Sequence, residues 1–228
     1  MKKIVLCKRK RELSVEQFRN HWRTVHGPLL MSIPSYKDYS IGYVQNHMIG
    51  SGPVGGAFQF DGVSDILQAD TSGRTAFSQT AVFREKVIPD EMQMLDRHAT
   101  LVCTADEFDI IPGTGPVKVV MLWRRKLGLD HQEALEAWRT GHLGTLMRQP
   151  GFQDHVRGYR QNCMRRDSFV RLTGEPLEDL QPFDGMSEFW FDDVDAAVRT
   201  LAVTATSQAS FVESSRTQSF LSEEIRFF

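Results

Sequence analysis

Two histidines hold the same place in a recurring pattern. His26 closes the run Trp22-Arg23-Thr24-Val25-His26, and His142 closes Trp138-Arg139-Thr140-Gly141-His142. An imidazole titrates near neutrality, so each is a candidate general acid or base. Trp22 and His26 lie four residues apart, which sets them on one helical face. Phe18 shares that face, so it is expected to meet a sheet, with Trp22 and Trp138 as candidate walls of a substrate site. The competing role for each histidine is a buried ring bonded to a backbone carbonyl at a helix end. Tyr43 and Tyr159 can donate a phenol proton to a substrate oxygen, or simply pack. Asn46 and Asn162, each next to a glutamine, can orient a carbonyl or hydroxyl, or hydrogen-bond one half of the molecule to the other. Neighbouring strand residues face opposite ways, so one of each Gln-Asn pair is expected to enter an enclosed cavity. Lys8 and Arg124 sit in matched basic runs. They are candidates for drawing an anionic substrate to the cavity mouth, or else mark solvated strand ends.

Other reactive types read as structural. His21 precedes His26 by five residues, off the α-helical face, so it is predicted at the surface with no shared metal. Asp61 and Asp184 fall in Asp-Gly turns, where an Asp side chain commonly bonds its own backbone. Cys7, Cys103 and Cys163 form no CxxC pair and read as reduced structural thiols, Cys163 being the nearest to a Cys-His arrangement. Gly50–Gly56 is rich in glycine but lacks the lysine of a phosphate loop, and reads as a lid or a plain connection.

These candidates are carried by an internal repeat. Trp22 and Trp138, His26 and His142, Tyr43 and Tyr159, and Asn46 and Asn162 are all 116 residues apart. Phe60-Asp61-Gly62 and Phe183-Asp184-Gly185 are 123 apart, so the second copy carries about seven extra residues in between. Each copy reads strand, helix, strand, strand, helix, strand. The strands are expected at 3–9, 39–49, 63–69 and 99–111, and at 117–124, 155–164, 186–192 and 217–228. Ser14-Val15-Glu16-Gln17 is a capping box for the first helix, and Asp130 opens its counterpart. The second helices are expected near 75–86 and 195–209. This β-α-β-β-α-β order is the ferredoxin-like unit. The fold class is therefore α+β, with two such units, residues 1–112 and 117–228, divided at the turn-rich Pro112-Gly113-Thr114-Gly115-Pro116. One unit leaves a sheet face bare. Two units stacked sheet to sheet cover it and enclose a ligand-sized space.

The 228 residues are 41% hydrophobic and carry a net charge of −2, which gives no electrostatic footprint for nucleic acid or an anionic membrane. Ile4–Cys7 is too short for the apolar core of a signal peptide, so a cytoplasmic protein is expected.

Taken together, Phe18-xxx-Trp22-Arg23-xx-His26-Gly27-Pro28-Leu29, Tyr43-Val44-Gln45-Asn46 and Phe60-Asp61-Gly62, with their echoes in the second copy, resemble the EthD-like family of dimeric α+β barrels. Copy two departs where Leu143-Gly144 replaces Gly-Pro. The resemblance implies a pseudo-dimeric barrel. It also implies a small-molecule activity of cofactor-free isomerase, lyase, cyclase or monooxygenase type, without metal, and with His26 and His142 as catalytic groups. A haem-binding barrel with one of these histidines as axial ligand, and a non-catalytic metabolite binder, are the alternatives. A homodimer of the fused chain, paired through free sheet edges at the barrel seam, is a further expectation.

Overall fold

A computed structural model describes residues 1–68, 77–177, 182–208 and 210–228, apart from the side chains of 203–207. Expected element ends at 69, 75–76 and 209 lie outside the described residues. Strands run β1 Lys2–Cys7, β2 Gly42–Ser51, β3 Gly62–Leu67, β4 Leu101–Ile111, β5 Val117–Trp123, β6 Val156–Met164, β7 Val170–Arg171, β8 Gly185–Phe191 and β9 Gln218–Arg226.

The strands form one sheet in the order β1-β3-β2-β9-β5-β8-β6-β4, and β4 pairs back onto β1 to close a barrel. The closure refines the expected stacking. The two sheets join edge to edge at both seams, β2 with β9 and β4 with β6, instead of lying face on face. The seam edges expected to recruit a second chain are thus already paired within the chain. The short β7 hangs on the start of β4.

Alternate strand residues face the barrel interior. One layer is apolar: Ile4, Leu6, Val63, Leu101, Val120, Leu122, Met186 and Phe220 are buried together. The next layer is charged. Lys118 Nζ lies 2.6 Å from Glu188, Glu224 and Asn46 Oδ1, while Lys2 Nζ meets Glu188 at 2.7 Å and also Glu107. Asn46 and Asn162 donate to Asp65 and Glu188, both at 2.9 Å. Burial disfavours the Lys2 ammonium, but Asp65, Glu188 and Glu107 outweigh it and raise its pKa. For Glu188 burial is likewise overcome, here by Lys118 and Lys2, and its carboxyl is held well below the usual range. The expected ligand space inside the barrel is therefore filled by this network. It belongs to both halves, since Lys2 reaches Glu188 and Lys118 reaches Asn46.

The helices cover the outside. Ser14 accepts from Gln17 N and Gln17 answers to Ser14 N, completing the expected capping box. Asp130 caps the matching helix by accepting from Gln132 N and Glu133 N. The helix of the first copy then widens into a π-helical turn over Trp22–His26, where Gly27 N–H donates to Trp22 O. The second copy does the same over Ala137–His142. The second helix of copy one continues through Phe83–Val87 and Ile88–Met94, well past the expected end at 86. Pro89 does not stop it, because the residue stands at the start of the second segment, where a proline needs no donor. The Gly50–Gly56 segment is a plain connection, tied to β9 by Gly52 N to Ser219 O and Gly56 N to Thr217 O.

Candidate active site in the first unit

The cavity lies outside the barrel, between the first unit's sheet and its helices. Its wall includes Trp22, His26, Tyr36, Tyr43, Ile66 and Glu91. The sheet contributes the outward-facing residues, which is why Tyr43 lines it and Asn46 does not.

His26 is buried at 7% exposure. Its Nδ1 lies 2.6 Å from Asp90 Oδ2, and His21 Nε2 lies 2.7 Å from Asp90 Oδ1. Burial opposes charge on Asp90, but the hydrogen bonds from His26 and His21 outweigh it and hold its carboxyl below the ordinary range. A carboxylate only accepts, so His26 Nδ1 carries the proton and Nε2 is the basic nitrogen. His21 is not the isolated surface residue its spacing suggested. A π-helical turn takes more residues per turn than an α-helix, so positions five apart line up. The turn over Trp22–His26 thereby aims both histidines at one carboxylate.

Tyr43 is buried at the back of the cavity. Its Oη accepts from Trp22 Nε1 at 3.2 Å and from Gln45 Nε2 at 3.0 Å. Gln45 Nε2 also donates to Trp22 O at 2.8 Å, which fixes which end of that amide is which. His47 Nε2 donates to Gln45 Oε1 at 2.8 Å. Burial and the nearby Arg19 and Arg23 push His47 down to about 3, so it stays neutral. Two donors thus meet the Tyr43 oxygen and neither accepts its hydrogen. Burial raises the Tyr43 pKa, keeping that hydrogen in place.

The second unit repeats these residues, but among its described residues packed rings take the place of the cavity. Gln161 Nε2 donates to Tyr159 Oη at 2.9 Å, as Gln45 does to Tyr43. But Phe189 stacks on Tyr159 with centroids 4.2 Å apart and planes 9° apart. Phe189 pairs with Tyr159 across the strands, as Ile66 pairs with Tyr43. Phe189, Phe191, Phe152 and Leu201 pack into one cluster where unit one has its open space. His142 meets Gln208 Nε2 at 3.2 Å in place of an aspartate, and burial lowers its pKa to about 4.

The remaining candidates lie elsewhere. Lys8 Nζ donates to Gln59 O at 2.7 Å and lies 3.6 Å from Asp61, away from the cavity wall. Arg124 borders a shallow surface depression with Arg125 and Lys126. Asp61 and Asp184 bracket the strand ends instead of bonding their own turns. Asp61 accepts from Arg9 N at 3.0 Å, and Asp184 from Arg125 N and His131 Nδ1, both at 2.7 Å. Cys7 lines the cavity, but burial pushes its thiol up to about 12, and Cys163 is pushed to about 11 for the same reason. Neither is an activated nucleophile. Sequence reasoning missed Asp90 and Glu91. The one available signal was an adjacent acidic pair inside a helical stretch of copy one that copy two does not repeat.

A family model for the EthD domain matches residues 10–98 and again 126–212. The chain belongs to the EthD family. Its two EthD units together form one closed barrel in a single polypeptide. No functionally curated protein matches the sequence. Among solved structures, an anthrone oxidase-like protein aligns with a TM-score of 0.60 at 11% identity, covering 99% of this chain and 92% of its own. A provisionally assigned chlorite dismutase gives 0.56 at 9%, covering 98% and 94%. A provisionally assigned monooxygenase from Lactobacillus acidophilus gives 0.53 at 8%, covering 100% and 93%. At these identities the likeness is one of fold.

The described residues of the EthD units offer little to a metal or a haem. Among the described residues no three His, Cys, Asp or Glu side chains are grouped to hold a metal ion. His142 is engaged by Gln208, which leaves His26 as the axial candidate. A haem also needs cationic partners for its propionates, and Lys3 is the single cation among the described lining residues. These residues do not fit a haem. Among the described residues no helix is long and apolar enough to cross a membrane.

Proposed function

We propose that this EthD protein is an enzyme with one acid/base site per chain, in the first unit, for a small aromatic or enolisable compound. The observation that carries the reading is the pairing of His26, held by Asp90, with Tyr43, whose hydroxyl hydrogen is left to donate. Their rings lie 6.4 Å apart, centroid to centroid, on one aromatic cavity. His26 Nε2 takes a proton from a phenol or from carbon next to a carbonyl. Asp90 steadies the imidazolium that forms, and Tyr43 donates to the developing oxyanion. Isomerisation, lyase chemistry or cyclisation follow from such an anion. The names of the similar structures support oxygenation of the same electron-rich anion, with molecular oxygen as the oxidant, as the variant to test after proton transfer.

The reading is tested with 4-nitrophenol, whose ionised form absorbs visibly. Bound to the protein, it is expected to ionise at lower pH than in buffer. His26→Gln is expected to abolish that shift while the melting curve stays close to that of the parent. An equal shift in His26→Gln refutes the role of His26, and equal binding by Tyr43→Phe refutes that of Tyr43.

A further inference from the structure

One buried group on the same cavity has no part in that scheme. Glu91 follows Asp90 in the helix Ile88–Met94 and is 6% exposed. Asp90 turns toward the histidines, whereas Glu91 lines the cavity itself. Its Oε2 is sealed from the cavity in an ion pair with Arg97 Nε at 3.1 Å, outside hydrogen-bond geometry. Among the described residues no hydrogen bond reaches either of its carboxyl oxygens. Buried polar groups are nearly always satisfied, so the carboxyl oxygen that Arg97 does not hold is one whose partner comes from the cavity's contents.

Resting on the acid/base reading above, we infer that Glu91 is a specificity-determining residue that receives a second oxygen substituent of the substrate. The site is thus built for aromatic compounds with at least two hydroxyl or enolisable carbonyl groups. One oxygen sits between His26 and Tyr43, and the other at Glu91. The carboxyl serves in either protonation state: ionised it accepts from a hydroxyl, and neutral it also donates. Burial raises its pKa against the opposing charges of His26, Arg97 and Lys3. A ligand with one oxygen leaves the second carboxyl oxygen without a hydrogen bond, and is expected to bind roughly tenfold or more weakly.

The test is calorimetric or NMR titration of the full chain with phenol, catechol, resorcinol and hydroquinone. At least one diol is expected to bind the parent protein tenfold or more tightly than phenol. Glu91→Met is expected to bring that diol within about threefold of phenol, through weaker diol binding, tighter phenol binding or both, and Glu91→Gln to retain part of the preference. A preference that survives in Glu91→Met, or no diol preferred by the parent, overturns the inference. Should Glu91→Met fold poorly, the parent and Glu91→Gln decide: an undiminished preference in Glu91→Gln overturns it, and a reduced one supports it. The underlying reading fails separately, through phenol binding that Tyr43→Phe leaves unchanged.

Discussion

Replacing Ile66 by phenylalanine is expected to convert the open unit into a copy of the closed one. Ile66 stands opposite Tyr43 in the register that sets Phe189 opposite Tyr159. A ring built at 66 therefore enters the cavity and can stack on Tyr43 as Phe189 does on Tyr159. Filling empty space is the reverse of creating a cavity, so the usual penalty for overpacking does not apply. An aromatic pair is worth about 0.5–1.5 kcal/mol beyond its burial. For a chain of this length about 1 kcal/mol moves the melting temperature by about 2–4 °C. Ile66→Phe should thus leave the midpoint unchanged or raised by a few degrees, and abolish binding of 4-nitrophenol. Calorimetry and absorbance titration on one sample decide it. Undiminished binding, or a midpoint lowered by more than about 5 °C, would refute the assignment of the site to this cavity.

Further outcomes follow from the same structure. Asp90→Asn removes the carboxylate that fixes the His26 tautomer, and turnover of any substrate found should fall by about 10² or more, the share expected of a general base. His142 is neutral in the fold, with its pKa lowered to about 4 from 6.5. The unfolded chain binds the proton first, so this residue costs nothing above pH 6.5 and destabilises progressively as pH falls toward 4. At about 1.4 kcal/mol per pH unit the loss reaches roughly 3 kcal/mol. His142→Gln should flatten that part of the pH profile in denaturant titrations. Lys118→Met leaves Glu188 buried with one fewer cation and should cost about 3–5 kcal/mol in the same assay. Lys8→Ala, whose ammonium rests on Gln59 and Asp61, should leave ligand affinity and its salt dependence unchanged.

The architecture was legible because the repeat is periodic in types that folding constrains: a tryptophan and histidine on one helix face, a capping box, and an Asp-Gly before a strand. What misled was geometry that residue spacing does not encode. His21 and His26 share a face only because the helix widens locally into a π-helical turn. Asp90 stands 64 residues after His26 and joins it only through tertiary packing. Asn46 takes the second of its two expected roles, a hydrogen bond between the halves, and not the ligand-facing one, because the barrel interior is filled. Lys2 and Lys118, matched across the repeat in otherwise apolar strands, were the visible sign that the interior carries charge. The closed second site was also written in the sequence. Where unit one has Ile66 and Gln68, unit two has Phe189 and Phe191.

The edge-to-edge fusion changes which variants of this barrel are reachable. In a barrel made of two identical chains every substitution is made twice, so a ring that shuts one pocket shuts both. Joined in one gene, the two units mutate separately. Phe189 could shut one chamber while the other stayed open, and the shut half can supply the packing that an open pocket forgoes. On the reading proposed above, the asymmetry is a division of labour, with one half as scaffold and the other free to vary its walls.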